Sequence, residues 1–535
     1  MKKMPSILLV SVNARYTHSC PALYTLEKLC TGIAEAVHHE TTINCDPAAE
    51  AAAIAERKPD IVCFSTYIWN GTVVQKIAEA LCAELPSIRI IAGGPEAWHN
   101  EWTGFHLAQS LKALVNAVTN DEYPPKITGE EYHIDELPFA YSPSQLVAMK
   151  KRYLYYESSR GCAFSCAYCL SGAGEALSFR SLDKVLAELD LFMTHNVHIV
   201  KFVDRTFNID TGRSLAIWEH IVKYNRSTAF HFEIHPAIMS EREIEFCRSV
   251  PAGMFQFEAG VQSTTPASLA AVSRTDDTQR ALDVISAISK RGNIHLHAGL
   301  IAGLPRETEE SFLEAIDKTV AARPHYIQIG TLKLLRGSPL YNIAGENGIS
   351  ASQFPPYQVL KTSGMPLGVI MRFSQLEHLF NILYNDSDYP LTLEYILEHT
   401  ASASHLFMRL MEECAEEKIS LDSHKREKIG ELLYRAARLA SCADTHFGDR
   451  AALEWAPSLH PYPQWLSNYT QRAELFHYAL KLAQRESGLQ PARGLLYVPE
   501  HPETPLLANL PGCDAYFFSK RTGAPFVSGR IWFSA

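Results

Sequence analysis

The sequence predicts a multidomain α/β protein whose last third is mainly helical. Three observations carry this: a length of 535 residues, two stretches where short apolar runs alternate with amphipathic segments, and a change to long amphipathic patterns after about residue 345. At roughly 150 residues per domain, the length calls for three or so separate cores. Hydrophobic content of 47% and charged content of 20%, with 28 Gly and 29 Pro, is an ordinary globular composition, which excludes disordered and fibrous classes. The 49 basic against 59 acidic side chains give a charge of -10, so no general nucleic-acid binding or attraction to anionic lipid is expected. No apolar run approaches the roughly 18 residues that span a bilayer. The short run at 7–10 behind Met1-Lys2-Lys3 is followed by Asn13 and Arg15 where a cleavage site would stand, so it reads as a first strand rather than a signal peptide. No membrane partner and a cytoplasmic location are expected.

Taken in order, residues 1–125 show a βα rhythm with strands at 7–12, 41–45, 61–67 and 88–92 and helices at 22–37, 48–57 and 73–83. Open parallel sheets bind ligands beyond the carboxyl ends of their strands, here the polar loops 13–20, 65–70 and 93–96. Only one more helical pattern, 107–118, precedes Pro124-Pro125, so the sheet is expected to lack a fifth strand. Residues 126–150, with Pro138 and Pro143, read as a linker. Residues 151–345 hold six longer βα units, with strands at 153–158, 198–203, 229–234, 253–259, 295–301 and 326–332; these suit a partial (β/α)6 barrel, with its chemistry at the C-terminal strand ends. Residues 346–535 read as a C-terminal domain of helices at 375–385, 391–416, 426–442 and 471–486, closed by β-like runs at 494–498, 515–519 and 526–533.

Twelve cysteines are present, and most sit in apolar patterns where a reduced thiol packs as a small hydrophobe. Cys162, Cys166 and Cys169 are different. At a frequency of 12 in 535, a C-x3-C-x2-C run is expected by chance about 0.006 times in the chain. A structural zinc site wants four closed ligands, yet the next histidine downstream is His195, 26 residues on. An iron-sulfur cluster held by three thiolates leaves one iron open to an exogenous ligand, which is a catalytic arrangement.

The segment Cys162-Ala163-Phe164-Ser165-Cys166-Ala167-Tyr168-Cys169, following a first barrel strand, resembles the signature loop of radical S-adenosylmethionine (SAM) enzymes. Two segments behind it are similar to that family's fourth-strand and fifth-strand motifs: Phe257-Glu258-Ala259-Gly260-Val261-Gln262-Ser263 and Gly299-Leu300-Ile301-Ala302-Gly303-Leu304-Pro305. The resemblance implies a 4Fe-4S cluster on Cys162, Cys166 and Cys169. It implies SAM held by Tyr168, Glu258, Gln262, Gly299 and Ile301, cleavage of SAM to a 5'-deoxyadenosyl radical, and an electron donor such as flavodoxin or ferredoxin.

The N-terminal loops containing Asn13 to His18, Ser65 to Asn70 and Gly93 to Glu96 resemble the Rossmann-like (flavodoxin-like) cobalamin-binding domain of the class B methyltransferase-like subgroup, whose members here would carry an uncharacterised C-terminal domain. That resemblance implies cobalamin near Ser65, Thr66, Gly93 and Gly94, and methyl transfer to an unactivated carbon of a small-molecule substrate. The D-x-H-x-x-G motif that supplies an axial histidine is absent, since Tyr16 and Pro21 take its Asp and Gly positions around His18; His18 is not assigned to cobalt. A radical SAM rearrangement or oxidoreduction without cobalamin is the alternative chemistry. A non-catalytic metal-binding interaction protein is the alternative class.

Several residues admit two readings. Asp204 and Asn208 either bind SAM or substrate, or are turn and cap residues. His195 with His198 and His231 with His235 read as structural. His295 and His297 share one face of the fifth barrel strand, either as substrate-site candidates in the lumen or as histidines on a partly solvated face, and Arg336 is either a cation for a carboxylate or phosphate or, the preferred reading, a loop arginine.

Overall fold

The computed structural model describes residues 4–455 apart from 101, 103, 172–175, 386 and 422–424, together with 466, 517–518 and 525–526. The chain divides into two compact units, Met1–Met371 and Arg372–Ala535.

The first unit opens with β1 (Ser6–Asn13), α1 (Pro21–Leu29), β2 (Glu35–Thr42), α2 (Pro47–Glu56), β3 (Ile61–Ser65), α3 (Gly71–Glu84), β4 (Arg89–Gly93), α4 (Pro95–Trp98), β5 (His106–Ala108), α5 (Leu111–Asn120) and β6 (Lys126–Ile127). Its six strands run parallel in the order β2-β1-β3-β4-β5-β6, the doubly wound flavodoxin-like order with one strand added. Alternate residues of β1 feed two apolar layers: Ile7 and Leu9 pack with Leu23 and Leu26, while Leu8, Val10 and Val12 pack with Ile54 and Ile77. Fully burying such a side chain contributes about 1.5–3 kcal/mol.

Two expectations are corrected here. The sheet is not truncated, because the start of the expected 107–118 helix is strand β5. The helix begins only at Leu111, where the Ser110 hydroxyl accepts from Ala113 N at 3.1 Å. The expected helix 22–37 stops at Leu29; beyond Gly32, at φ +85°, the chain becomes β2, which pairs with β1 from Ser6↔Glu35 to Asn13↔Thr42. Its polar sequence EAVHHETT hides an edge strand whose residues are mostly half-buried.

A short α6 (Pro143–Ala148) leads into the second sheet, which is built from β7 (Tyr153–Tyr156), a two-residue pair β8 (Ser159–Arg160) and β9 (Ser178–Phe179), α7 (Leu182–Thr194), β10 (Ile199–Phe202), α8 (Thr211–Tyr224), β11 (Ala229–Ile234), α9 (Glu241–Ser249), β12 (Phe255–Gln262), α10 (Pro266–Ala271), α11 (Thr278–Ser289), β13 (His295–Ala302), α12 (Glu309–Ala321) and β14 (Tyr326–Thr331). Strands β7, β10, β11, β12, β13 and β14 pair in chain order, all parallel, which makes the six-stranded partial barrel expected from the sequence. Strict alternation sets its two faces. Phe255, Phe257, Ala259 and Val261 of β12 are buried toward the helices, around Trp218 of α8, whose ring lies 5.5 Å from Phe257. Gln256, Glu258, Gly260 and Gln262 are left for the opposite, luminal face.

After β13, Glu307 is fully buried; one carboxyl oxygen accepts from Ser263 Oγ and the other has no hydrogen-bond partner among the described residues. Burial pushes its pKa up to about 8. The folded chain therefore keeps this proton to a higher pH than the unfolded chain does. The resulting stability is fully present below about pH 4.5 and is lost as the pH rises through about 8. Glu307→Gln is expected to flatten the fall in thermal midpoint between about pH 5 and 8. An unchanged pH profile in the variant would contradict this assignment.

After the barrel come α13 (Pro339–Asn342), the small antiparallel pair β15 (Ser350–Ala351) and β16 (Val359–Lys361), and α14 (Leu367–Phe380). The second unit continues with a π-turn (Asn381–Asn385), α15 (Pro390–Glu398), α16 (Ala403–Glu416), α17 (Arg426–Leu439) and α18 (Thr445–Trp455); β17 (Phe517–Phe518) and β18 (Pro525–Phe526) form a two-stranded pair. The pattern expected as one helix over 391–416 is two helices, because Ser402 caps α16 by accepting from His405 N at 3.1 Å. Helix α18 was not expected. Its Glu454 takes hydrogen bonds from Leu391 N, Thr392 N and Thr392 Oγ1, closing the N-terminus of α15. The expected helix at 471–486 and strand at 494–498 lie outside the described residues, as do 515–516, 519 and 527–533 of the last two runs.

Candidate active site

The cysteine loop leaves the carboxyl end of β7 and is pinned before any cofactor is considered. Gly161 turns the chain at φ +82°. Cys169 N donates to Cys166 O at 3.0 Å, Ala167 N to Val272 O at 2.9 Å, and Leu340 N to Ala167 O at 2.8 Å. The entrance is held by Asp204, which accepts from Ser158 N (2.9 Å), Ser158 Oγ (2.6 Å) and Ser159 Oγ (2.7 Å). Burial raises Asp204 to about 6. Asn208 exchanges hydrogen bonds with the backbone of His235, at 2.8 and 3.0 Å. Both residues are thus committed to the scaffold, which decides between their two readings.

Cys162, Cys166, Cys169, Tyr168, Glu258, Gln262, Gly299 and Ile301 all line one cavity of about 340 Å³ inside the C-terminal end of the barrel. Three devices bring them there. The loop supplies the thiols and Tyr168, and the alternation of β12 and β13 turns Glu258, Gly299 and Ile301 to the lumen. A bulge between Gly260 and Gln262 re-aims Gln262, which adopts φ +68°. Burial pushes the Cys166 thiol up, while the Arg274 guanidinium pulls it back toward the thiolate. A hydrogen bond from His231 holds Glu258 below the usual carboxylate range. Among the described residues no three His, Cys, Asp or Glu side chains converge on one point as a single metal ion would require.

Sequence reasoning missed Arg274, Glu233, Gln328 and Arg205, which line the same cavity. Arg274 ion-pairs with Asp276 and donates to Gly260 O (2.7 Å) and Tyr168 Oη (3.3 Å). The luminal register could have found two of the others, since Glu233 pairs with Glu258 and Gln328 with Gly299. Of the histidines read as structural, His195, with Nδ1 2.7 Å from Leu191 O, and His198, stacked on Tyr153, do not line the cavity, whereas His235, paired with Asp276 at 3.1 Å, lines it and His231 bonds Glu258. His297 stacks on Tyr326, and burial lowers it to about 4.

A larger cavity of about 650 Å³ lies where the carboxyl ends of β1 and β3 face β7, lined by Asn13, His18, Tyr67, Trp69, Tyr141 and Tyr155 among others. Of the four residues expected near cobalamin, only Ser65 lines it. Thr66 is fully buried, with its hydroxyl donating to Gly93 O at 2.8 Å and accepting from Ala97 N at 3.0 Å. Gly94 stands at φ +103°, where a Cβ would lie 2.4 Å from Thr66 O. Thr66, Gly93 and Gly94 therefore serve the β3–β4 junction rather than the cavity wall. Within the wall, His18 Nδ1 is tied to Tyr155 Oη at 2.5 Å.

Residues 156–319 match the Radical SAM superfamily, and residues 345–454 match a family described as a protein of unknown function, DUF4080. The chain thus carries a radical SAM domain, the class whose three-cysteine loop implies a 4Fe-4S cluster and SAM. More particularly, it is similar to the cobalamin-dependent radical SAM methyltransferase TokK of Streptomyces tokunonensis, at 23% identity over 53% of this chain and 48% of that one. It also resembles the ribosomal protein uS12 methylthiotransferase RimO of Chlamydia caviae, at 22% identity over 47% of this chain and 53% of that one. The chain spans about half the length of these curated relatives. Among solved structures, the radical SAM methyltransferase TsrM of Kitasatospora setae, with cobalamin and a [4Fe-4S] cluster bound, shares the fold at TM-score 0.55 and 13% identity. That match covers 82% of this chain and 100% of that one. The cobalamin-dependent radical SAM enzyme OxsB does so at TM-score 0.57 and 12% identity, over 82% and 80%. Among the described residues no helix is long and apolar enough to cross a membrane.

Proposed function

We propose that this chain is a cytoplasmic, cobalamin-dependent radical SAM enzyme that transfers a methyl group to an unactivated carbon of a small molecule, drawing electrons from a flavodoxin- or ferredoxin-type donor. The observation that carries the proposal is the convergence of eight residues from three separate segments on one cavity that shares Arg205 with a second, larger one. In this reading Cys162, Cys166 and Cys169 hold the 4Fe-4S cluster. Tyr168, Glu258, Gln262, Gly299 and Ile301 surround SAM, and the larger cavity takes cobalamin against Ser65. When bound, the cluster supplies the electron that cleaves SAM, and cobalamin supplies methyl-carrier chemistry.

The chain's own residues supply the rest. Arg274, fixed by Asp276 and Gly260 O beside Cys166, offers a guanidinium for the methionyl carboxylate of SAM. Glu258, kept ionised, can accept from the ribose hydroxyls. Gly299 removes a side chain where a flat adenine would pass. The C-x3-C-x2-C loop, with three thiols and no histidine before His195, suits a polynuclear cluster with an open iron better than a closed zinc site. In the larger cavity the aromatic wall of Tyr67, Trp69, Tyr141 and Tyr155 suits a broad, partly apolar macrocycle. His18, with one ring nitrogen already bonded and no Asp two residues before it, is left unassigned to cobalt.

The test is retention of hydroxocobalamin by the purified full chain. A stoichiometric, gel-filtration-stable complex with the absorbance of bound cobalamin is expected. A chain that loads its cluster but releases all cobalamin would replace this reading with radical SAM chemistry lacking methyl transfer.

A further inference from the structure

Among the described residues four arginines line the two cavities, and three of them are already paired with a carboxylate or assigned to SAM. In the larger cavity Arg160 clamps Glu157 with two hydrogen bonds of 2.9 and 2.7 Å, and Arg180 is bidentate on Glu188 at 2.7 and 2.8 Å. In the smaller one Arg274 is held by Asp276, Gly260 O and Tyr168 Oη, and is the guanidinium assigned above to the SAM carboxylate. Lys201 of β10 lines neither cavity and lies over the Tyr153 ring at 5.3 Å.

Arg205 is placed differently. It follows β10 and lines both cavities, and its side chain is 51% exposed. Among the described residues its charged partner is Glu233, at 3.6 Å, too long for a hydrogen bond. A guanidinium presents a planar fork of donors that matches a carboxylate or phosphate in two parallel bonds. Here that fork lines both cavities and, among the described residues, its guanidinium makes no hydrogen bond.

We propose that Arg205 is the anchor for an anionic group, a carboxylate or phosphate, carried by the small-molecule substrate, and that Glu233 is the internal carboxyl which that group displaces. The proposal rests on the functional reading above, because it takes the junction as the place where a substrate meets SAM from one side and cobalamin from the other. The surrounding charges allow it. Glu157 is neutralised by Arg160 and Glu258 is bonded by His231, which leaves Glu233 as the competitor for the guanidinium. Burial raises Glu233 to about 7, so its own hold on Arg205 is weakened.

The test uses the full chain and two probes, inorganic phosphate and acetate, with affinity measured by titration calorimetry. SAM binding is measured separately on the reconstituted protein. Arg205→Met is expected to weaken both probes about tenfold or more. Arg205→Lys should restore part of that loss, and Glu233→Gln should tighten binding several-fold. Cluster content should stay at wild-type level in all three variants, and SAM affinity should change by much less than probe affinity. Equal probe affinity in wild type and Arg205→Met, or no probe binding by wild type, would overturn the anchor. A parallel loss of SAM affinity in Arg205→Met would also overturn it, by giving the guanidinium to the carboxylate of SAM itself. A wild-type chain that loads neither cluster nor cobalamin instead sinks the functional reading, which separates the two failures.

Discussion

Cys166→Ala is expected to yield a folded protein that reconstitutes no stable 4Fe-4S cluster and cleaves SAM at least about a thousandfold more slowly than wild type, a loss of roughly 4 kcal/mol of barrier lowering. The 162–169 loop offers three thiols and no fourth, so removing one leaves an iron without a protein ligand. The variant should fold, because the loop is held by backbone bonds that do not use the thiol: Ala167 N to Val272 O and Leu340 N to Ala167 O. Iron and sulfide analysis after anaerobic reconstitution, beside a circular dichroism spectrum, checks both halves. Full iron content in the variant would refute the ligand assignment.

Arg180→Met is expected to destabilise the first unit by about 3–5 kcal/mol, since it leaves a buried carboxylate without its partner. Arg180 and Glu188 have side chains only 4% and 7% exposed, and the guanidinium also donates to Ile134 O (2.6 Å) and Leu137 O (2.9 Å). The Tyr156 hydroxyl completes the network on Glu188 at 2.6 Å. One arginine thereby ties the segment read as a linker to the barrel, next to Leu137 and Pro138 in the wall of the larger cavity. A thermal midpoint lower by roughly 5 °C is expected, together with faster proteolysis between residues 128 and 142. The double variant Arg180→Met, Glu188→Leu should recover much of the loss, because both charges are then gone. A single variant as stable as wild type would show that the network holds nothing.

The barrel was legible because its strands obey one rule. In β12 and β13 apolar residues alternate with Gln256, Glu258, His295 and His297, and the luminal face needs no tertiary information to be read. The cysteine loop was legible from spacing alone. The N-terminal sheet was read less well where local pattern and tertiary pairing disagree. Glu35 to Thr42 looks polar because an edge strand is solvated on one side, and His106 to Ala108 is too short to show a period. Thr66 and Gly94 were misread for a related reason: a glycine-containing strand end suits a ligand rim or a tight junction equally, and only the 2.4 Å approach to Thr66 O tells them apart. Arg205 and Arg274 left no sequence signal, since what marks them is the pairing of every neighbouring charge.

The central claim, that the three thiols hold a redox-active 4Fe-4S cluster which engages SAM, is tested most directly by electron paramagnetic resonance of the anaerobically reconstituted, reduced full chain before and after SAM is added. The account predicts the signal of a reduced 4Fe-4S cluster whose g-values shift when SAM binds, with 5'-deoxyadenosine or methylated product appearing on turnover. A colourless, signal-free protein that binds zinc in place of iron, or a cluster whose spectrum is indifferent to SAM, would contradict it.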